Sequence, residues 1–358
     1  MKSAPFVLVF SVPAALVAGV LIGGAWAYAV PVYVFIVVPI ADRLIGDSLF
    51  NPDRSTGDAV SVPHVSVLVG YAACQLVISV WTLWSITTGI AVGTMSTLSA
   101  VGLVVGLGVL CGAIGITVAH EFIHRSNRIE RGIGVALLSS VWYAHFRIEH
   151  VQGHHANVGT PLDPATARRG QSVYSFWAQS VIGGVQSAWQ IEARRLARMG
   201  LGVASLRNRM IGYAFLQTAI TVGIAVWLGP IGLAAFAGQA IIAFSLLEVV
   251  NYIEHYGLER SHDGRRFERV AELHSWDSPR RLTNYLLINL QRHADHHVAP
   301  QRRYQTLHHS PAAPKLPAGY AEMVLLALVP RLWFARIDPL LVALPVADQG
   351  VAIGERDA

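Results

Sequence analysis

The hydrophobic positions of the chain fall into six long, nearly uninterrupted runs that are separated by polar stretches. A helix needs about 20 apolar residues to cross a hydrocarbon core of ~30 Å. The runs at 6–23, 25–41, 64–86, 97–119, 211–229 and 232–253 approach or exceed this length. Because no repeat or low-complexity linker divides the chain, the pattern predicts one all-α integral membrane domain over residues 1–358, with six transmembrane helices.

The positions of Lys and Arg predict the orientation of these helices. No basic residue occurs between Arg54 and Arg125, or between Arg209 and Arg260. The positive-inside rule therefore places both termini and the segments 42–63, 120–210 and 254–358 in the cytoplasm. Another interpretation makes residues 1–27 a cleaved signal peptide that ends in AWA. The single Lys before the apolar run, and the second run directly after it, favour a retained hairpin.

Composition agrees with a membrane protein and excludes several cofactors. The chain is 53% hydrophobic and 14% charged, well below the roughly 25% charged residues of soluble domains. Its two cysteines, Cys74 and Cys111, lie inside predicted spans, and no CxxC pair exists. We therefore expect no iron–sulfur cluster, thiolate zinc site or rubredoxin module within this chain.

Histidine is the unusual feature, because nine of the 15 histidines form four clusters: HEFIH, EHVQGHH, NYIEHYG and LQRHADHH. Each cluster ends a predicted span or lies in a segment that follows one, so all four are expected at one membrane face. Side chains at i, i+3 and i+4 share a helix face. The spacing therefore predicts three chelating arms: His120 with His124, His150 with His154, and His293 with His296 and His297. His155 and His255 complete the set.

Nine imidazoles are too many for one metal ion. Imidazole suits zinc, copper, iron and nickel, and a tetrahedral zinc needs only four donors. Two irons with four or five nitrogen ligands each would use the whole set and leave positions open for dioxygen. Carboxylates beside the clusters are predicted to orient the imidazoles. The candidates for this outer role are Glu121, Glu149, Glu254 and Asp295, together with Glu248 inside the last span and His274.

Two other functions fit part of the pattern. HEFIH matches the H-E-x-x-H motif of zinc metalloproteases, in which the Glu is a general base. A protease needs only one further ligand, which leaves six clustered histidines unexplained. A metal or haem carrier would place histidines at opposite membrane depths, whereas these collect at one face.

The longer motifs resemble those of the alkane 1-monooxygenases, the AlkB-type integral-membrane di-iron hydroxylases. They are HEFIHR, HFRIEHVQGHH with TPLDPATARRGQSVYSF, NYIEHYGL, and LQRHADHH with RRYQTL, and the likeness extends from Asp42 to Pro339. NYIEHYG and LQRHADHH distinguish this group from fatty-acid desaturases and xylene monooxygenases. The chain departs from the family pattern at HEFIHR, where HELxHK is common, and at HSWD, where HSWN is common, which places an acid at Asp277.

The resemblance implies a bacterial inner-membrane enzyme that converts n-alkanes to primary alcohols with dioxygen. Two Fe ions would be bound by the nine histidines, and electrons would come from rubredoxin reduced by an NADH-dependent reductase. Another apolar substrate, such as an alkylbenzene, terpene or acyl chain, remains an alternative for a hydroxylase or desaturase. Selection of an end carbon requires an apolar tunnel, and Tyr33, Val34, Val37 and Val38 are its predicted walls. Arginines beside the clusters are either a rubredoxin docking surface or ordinary membrane-face charge: Arg147, Arg292, Arg302 and Arg303.

Overall fold

Long apolar helices dominate the computed structural model, which describes residues 3–53 and 61–344. Arg54, which was used above for orientation, and Lys2, the single Lys before the first apolar run, lie outside the described residues. The helices are α1 (Ala4–Ile22), α2 (Gly24–Ile45), α3 (Val62–Ala91), α4 (Thr97–Ile123), α5 (Arg128–Ser139), α6 (Phe146–Glu149, His150–His154 and His155–Asn157 in one run), α7 (Val173–Ala197), α8 (Arg209–His255), α9 (Arg281–Leu286), α10 (His293–Val298), α11 (Tyr320–Ala327) and α12 (Pro330–Val342). Within the described ranges, five of them are long and apolar enough to cross a membrane: α1, α2, α3, α4 and α8.

Helix α8 contains 47 residues and folds back on itself at Gly229. This glycine has φ 64° and ψ −163°, and Pro230 follows it without a backbone N–H. The indole N–H of Trp142 donates to Thr221 Oγ1 at 2.8 Å, and the same ring lies 5.5 Å from the ring of Phe236. Fifteen residues of straight helix would separate those two partners by about 22 Å. The two arms of α8 therefore lie side by side, and they match the predicted runs 211–229 and 232–253.

Helix α4 forms the centre of the bundle, and 78% of the residues in its most apolar stretch are buried. Glycines allow its close approach to the second arm of α8. A Cβ at Gly112 would lie 2.7 Å from the carbonyl oxygen of Ala243. Small residues serve this purpose between membrane helices, where packing drives association. Helix α2 runs parallel to α4, since Tyr28 contacts Leu98 and Gly102, and Val30 contacts Gly106.

Three helices contain a π-helical turn, at Tyr33–Val37 in α2, Leu110–Gly115 in α4 and His150–His154 in α6. A π turn pairs residue i with i+5, which widens the helix and changes which side chains share a face. All three turns contribute to the walls of one cavity, which is described below. They therefore shape the site as well as the helices.

Candidate metal centre

The nine clustered histidines converge at the ends of α4, α6, the second arm of α8, and α10. They form two groups, in each of which the ligand atoms lie within 4.8 Å of one another. The five-histidine group contains His120, His124, His150, His155 and His296. The four-histidine group contains His154, His255, His293 and His297.

The Nε2 atoms point towards the middle of each group. In the five-histidine group, the Nε2 of His150 lies 2.8 Å from that of His120 and 3.0 Å from that of His155. In the four-histidine group, the Nε2 of His293 lies 2.9 Å from that of His297 and 3.2 Å from that of His255. Each group thus gathers its nitrogen lone pairs around a point of its own, as metal ligands do.

Buried nitrogens without partners support the same conclusion. Both ring nitrogens of His124 are buried and have no hydrogen-bond partner in the described structure. Buried polar atoms are almost always satisfied, and a metal ion would satisfy this ring. Burial also lowers the pKa of His150, His155 and His296 well below the usual 6.5, which keeps these imidazoles in the neutral form that binds metals.

The predicted pairing of His150 with His154 is wrong. His150 shares its group with His155, five residues later, whereas His154 belongs to the other group. The reason is the π turn over His150–His154, which brings residues five apart onto the same face. The arm on α10 is also divided, because His293 and His297 lie in one group and His296 in the other.

Two ligand imidazoles are oriented by groups behind them. The Nδ1–H of His154 donates to Asp163 Oδ2 at 2.9 Å, and the hydroxyl of Thr166 donates to the same oxygen at 2.6 Å. The Nδ1–H of His255 donates to the backbone carbonyl of His274 at 3.2 Å. Such contacts fix the tautomer and direct Nε2 towards a metal. Burial alone would raise the pKa of Asp163, but His154 and the hydrogen bonds outweigh it and lower the pKa.

Sequence analysis missed Asp163. It follows His154 by nine residues in the TPLDPAT segment, and no helical spacing connects the two. The one sign of its importance in the sequence is that TPLDPAT belongs to the long motif that follows EHVQGHH.

The predicted outer carboxylates have different surroundings. Glu254 lies 3.2 Å from the Nε2 of His293. The other acids contact groups outside the nine imidazoles in the hydrogen bonds described for them: Glu121 pairs with Arg125 at 2.9 Å, Glu149 accepts from Ser187 at 3.5 Å, Glu248 accepts from Tyr143 at 2.5 Å, and Asp295 accepts from the His308 N–H at 2.9 Å. The ring of His274 pairs with Glu268 at 3.2 Å, so only its carbonyl faces the site.

A narrow, mostly apolar cavity opens onto the histidines. His120, His150 and His293 lie in its wall, and the remainder comes mainly from apolar side chains of α1, α2, α4, α8, α9 and α11. Val34 and Val38 line it, as predicted. The prediction is wrong for Tyr33 and Val37, which line a separate shallow groove on the outer surface of α1 and α2.

Two of the four flanking arginines are structural. Arg292 is 2% exposed and donates to the carbonyls of Leu307 and Phe50. Arg303 is buried and forms an ion pair with Glu130 at 3.2 Å. A docking surface cannot include these two side chains, because they have no exposed charge to offer a partner.

The fold and the site define a class: proteins of long apolar helices with two histidine groups, each able to hold a metal ion, beside an apolar cavity. Comparison with known proteins narrows this class. The family model described as fatty acid desaturase matches residues 95–326. Alkane 1-monooxygenase 2 of Pseudomonas aeruginosa is 41% identical over 326 residues, covering 88% of this chain and 84% of the relative.

Two further relatives agree. Alkane 1-monooxygenase of Acinetobacter baylyi is 35% identical, covering 86% of this chain and 75% of the relative. The xylene/toluene monooxygenase hydroxylase component XylM of Pseudomonas putida is 33% identical, covering 67% of this chain and 64% of the relative. The chain belongs to the alkane 1-monooxygenase family, which confirms the resemblance seen in its motifs.

Proposed function

We propose that this protein hydroxylates the terminal methyl group of n-alkanes to give primary alcohols. One atom of dioxygen enters the alcohol. The other leaves as water, formed with two protons and with two electrons that rubredoxin receives from an NADH-dependent reductase. The observation that carries the proposal is the apolar cavity whose wall contains ligand candidates from both histidine groups.

We infer that the two groups hold two iron ions. Groups of five and four imidazoles suit iron and leave coordination positions open. When bound, the irons would supply the activation of dioxygen and the oxidation of an unactivated C–H bond. The protein supplies neutral ligands, the Asp163 and His274 contacts that orient two of them, and a site shielded from water.

The cavity would select the end carbon by shape, because an alkane offers no polar group to recognise. Along α4 its lining runs from Gly112 to His120, and along α8 from Leu246 to Glu254. Each interval is eight residues, or about 12 Å of helix. With C–C bonds of ~1.5 Å, an extended alkane advances roughly 1.25 Å per carbon, so the depth of this lining equals the length of about nine or ten carbons.

We further infer six membrane crossings, with the histidine groups at the cytoplasmic face of a bacterial inner membrane. The two arms of α8 supply the fifth and sixth crossings, since they lie side by side and each has the length of a span. The segments that carry most of the basic residues lie at the histidine end, as the positive-inside rule requires.

Product analysis tests the proposal. Membranes or purified protein, with rubredoxin, reductase and NADH, would receive n-alkanes of graded length under ¹⁸O₂. We expect primary alcohol that carries one ¹⁸O atom. An unlabelled alkene, or no turnover of any n-alkane, would refute it. The match to XylM supports a second candidate, hydroxylation of an alkylbenzene methyl group, so toluene and xylene belong in the same substrate series.

A further inference from the structure

We propose that the exposed face of α12 binds an anionic phospholipid of the surrounding membrane. Arg331 and Arg336 would contact the headgroup phosphate, and the apolar residues between them would contact the acyl chains. The inference rests on the proposed membrane crossing by the second arm of α8, and not on the alkane chemistry.

Helix α12 lies at the level where the second arm of α8 ends. The ring of Trp333 lies 5.1 Å from that of Tyr252 and 5.5 Å from that of Tyr256, in the last turn of the arm. Farther along α12, the side chain of Leu341 lies against Gly257, just beyond the arm. If the second arm crosses the membrane, α12 therefore lies beside the lipid headgroups.

The exposed face of α12 is mainly apolar. Its exposed residues are two arginines and four apolar residues: Arg331, Leu332, Ala335, Arg336, Pro339 and Val342. Leu332 and Val342 are 56% and 65% exposed, and the exposed Leu328 and Val329 extend this surface into the turn before the helix. A helix whose outer face meets water carries mainly polar residues there. This face therefore fits lipid better than cytoplasm.

The two arginines border the apolar strip on opposite sides. At about 100° per residue, Arg331 and Arg336 lie roughly 140° apart around the helix axis, with the four apolar residues between them. Neither arginine forms an ion pair with a carboxylate in the described part of the chain. The closest acid in sequence, Asp338, accepts a hydrogen bond from the Tyr256 hydroxyl at 2.8 Å.

This arrangement is complementary to an anionic lipid. The long arginine side chains can extend from a strip embedded in lipid to the headgroup level. A guanidinium binds phosphate oxygens through two parallel hydrogen bonds, and the negative surface of a membrane attracts it further. A bound lipid would also support the cavity from outside, because α11 packs against α12 and places Ala321 and Val324 in the cavity wall.

Lipid binding can be measured without turnover. Full-length protein in detergent would be titrated with phosphatidylglycerol or phosphatidylcholine of the same acyl chains, and native mass spectrometry would give the affinity of the tightest-bound lipid. Each arginine near an anionic surface strengthens binding about fivefold. The double variant Arg331→Gln with Arg336→Gln should therefore bind phosphatidylglycerol roughly 30-fold more weakly and bind phosphatidylcholine as wild type does.

The matched control is Arg265→Gln with Arg266→Gln, which removes the same charge from the exposed turn between His262 and Phe267. This control should bind phosphatidylglycerol as wild type does. Equal losses in the two double variants would overturn the inference, as would equal affinity of wild type for the two lipids.

Spin labelling tests what covers the face. A nitroxide attached through Leu332→Cys, in protein whose two native cysteines are replaced by alanine, would be studied in bilayers that contain phosphatidylglycerol. We expect it to be more accessible to oxygen, which concentrates in lipid, than to a water-soluble nickel complex. The opposite result would place the face in the cytoplasm, open to a protein partner, and would overturn the inference.

A second label separates this inference from the proposed crossing. Ile241 is 49% exposed on the second arm of α8, so a label attached through Ile241→Cys should also be more accessible to oxygen. If the Ile241 label is in lipid and the Leu332 label is in water, only the lipid surface of α12 is refuted. If both labels are in water, the membrane crossing itself is refuted.

Discussion

Replacing Val34 by Trp should shorten the range of alkanes that the enzyme accepts. Val34 is 9% exposed and lines the cavity one helical turn farther from the Asp42 end of α2 than Val38 does. Because α2 and α4 run parallel, with Val30 beside Gly106, Val34 lies near the end of the cavity remote from His120. A tryptophan there would fill about one turn, or 5.4 Å of depth.

The magnitude follows from the methylenes that no longer fit. At roughly 1.25 Å per carbon, 5.4 Å corresponds to about four methylene groups, each worth about 0.8 kcal/mol when buried. The loss of about 3 kcal/mol predicts a decrease of roughly 200-fold in kcat/KM for alkanes that need the full depth. Hexane, which is about as long as the remaining depth, should keep much more of its rate than the longer alkanes.

The assay is kcat/KM for n-alkanes from hexane to hexadecane with a fixed rubredoxin system. The matched control is Val37→Trp, since Val37 is on the same helix but 46% exposed and outside the cavity. Val37→Trp should leave the chain-length profile unchanged. A Val34→Trp profile parallel to that of wild type would refute the assignment of this cavity as the alkane site.

Three further variants test the supporting structure. Asp163→Asn should weaken metal retention about 10- to 100-fold, because His154 loses its anionic acceptor; unchanged retention would contradict this. The pKa of Asp277 is raised by burial from 3.8 to about 7, so its stability contribution is complete below about pH 3.8 and is lost as pH rises to about 7; Asp277→Asn should therefore raise Tm more at pH 8 than at pH 5, and a loss at pH 8 would be contrary. Burial opposes ionisation of Glu192, but hydrogen bonds from Arg195 and Arg209 lower its pKa from 4.5 to about 2. Glu192→Gln should cost about 2 kcal/mol near neutral pH, with an effect that fades as pH falls from about 4.5 towards 2; a pH-independent difference would show that the charge is unimportant.

The sequence predicted the long helices closely, because membrane spans depend on local composition. The predicted run 97–119 lies within α4, and the run 64–86 lies within α3. It also predicted which nine histidines gather, since each cluster borders an apolar run whose depth in the membrane is set by its length. These features depend on neighbouring residues alone.

The division of the histidines could not be predicted in the same way. It depends on a π turn at His150–His154, and helical spacing rules assume the ordinary α turn. The contact of Asp163 with His154, and the exclusion of Val37 from the cavity, depend on how distant segments pack. The burial of Arg292 also depends on distant packing, because nothing in the sequence around this charged residue indicates that it is buried.

The most direct test of the two-metal centre is anomalous scattering from crystals of active protein, recorded at the iron and zinc absorption edges. The account predicts two iron peaks, one within each histidine group. A single peak, or peaks that appear only at the zinc edge, would contradict it.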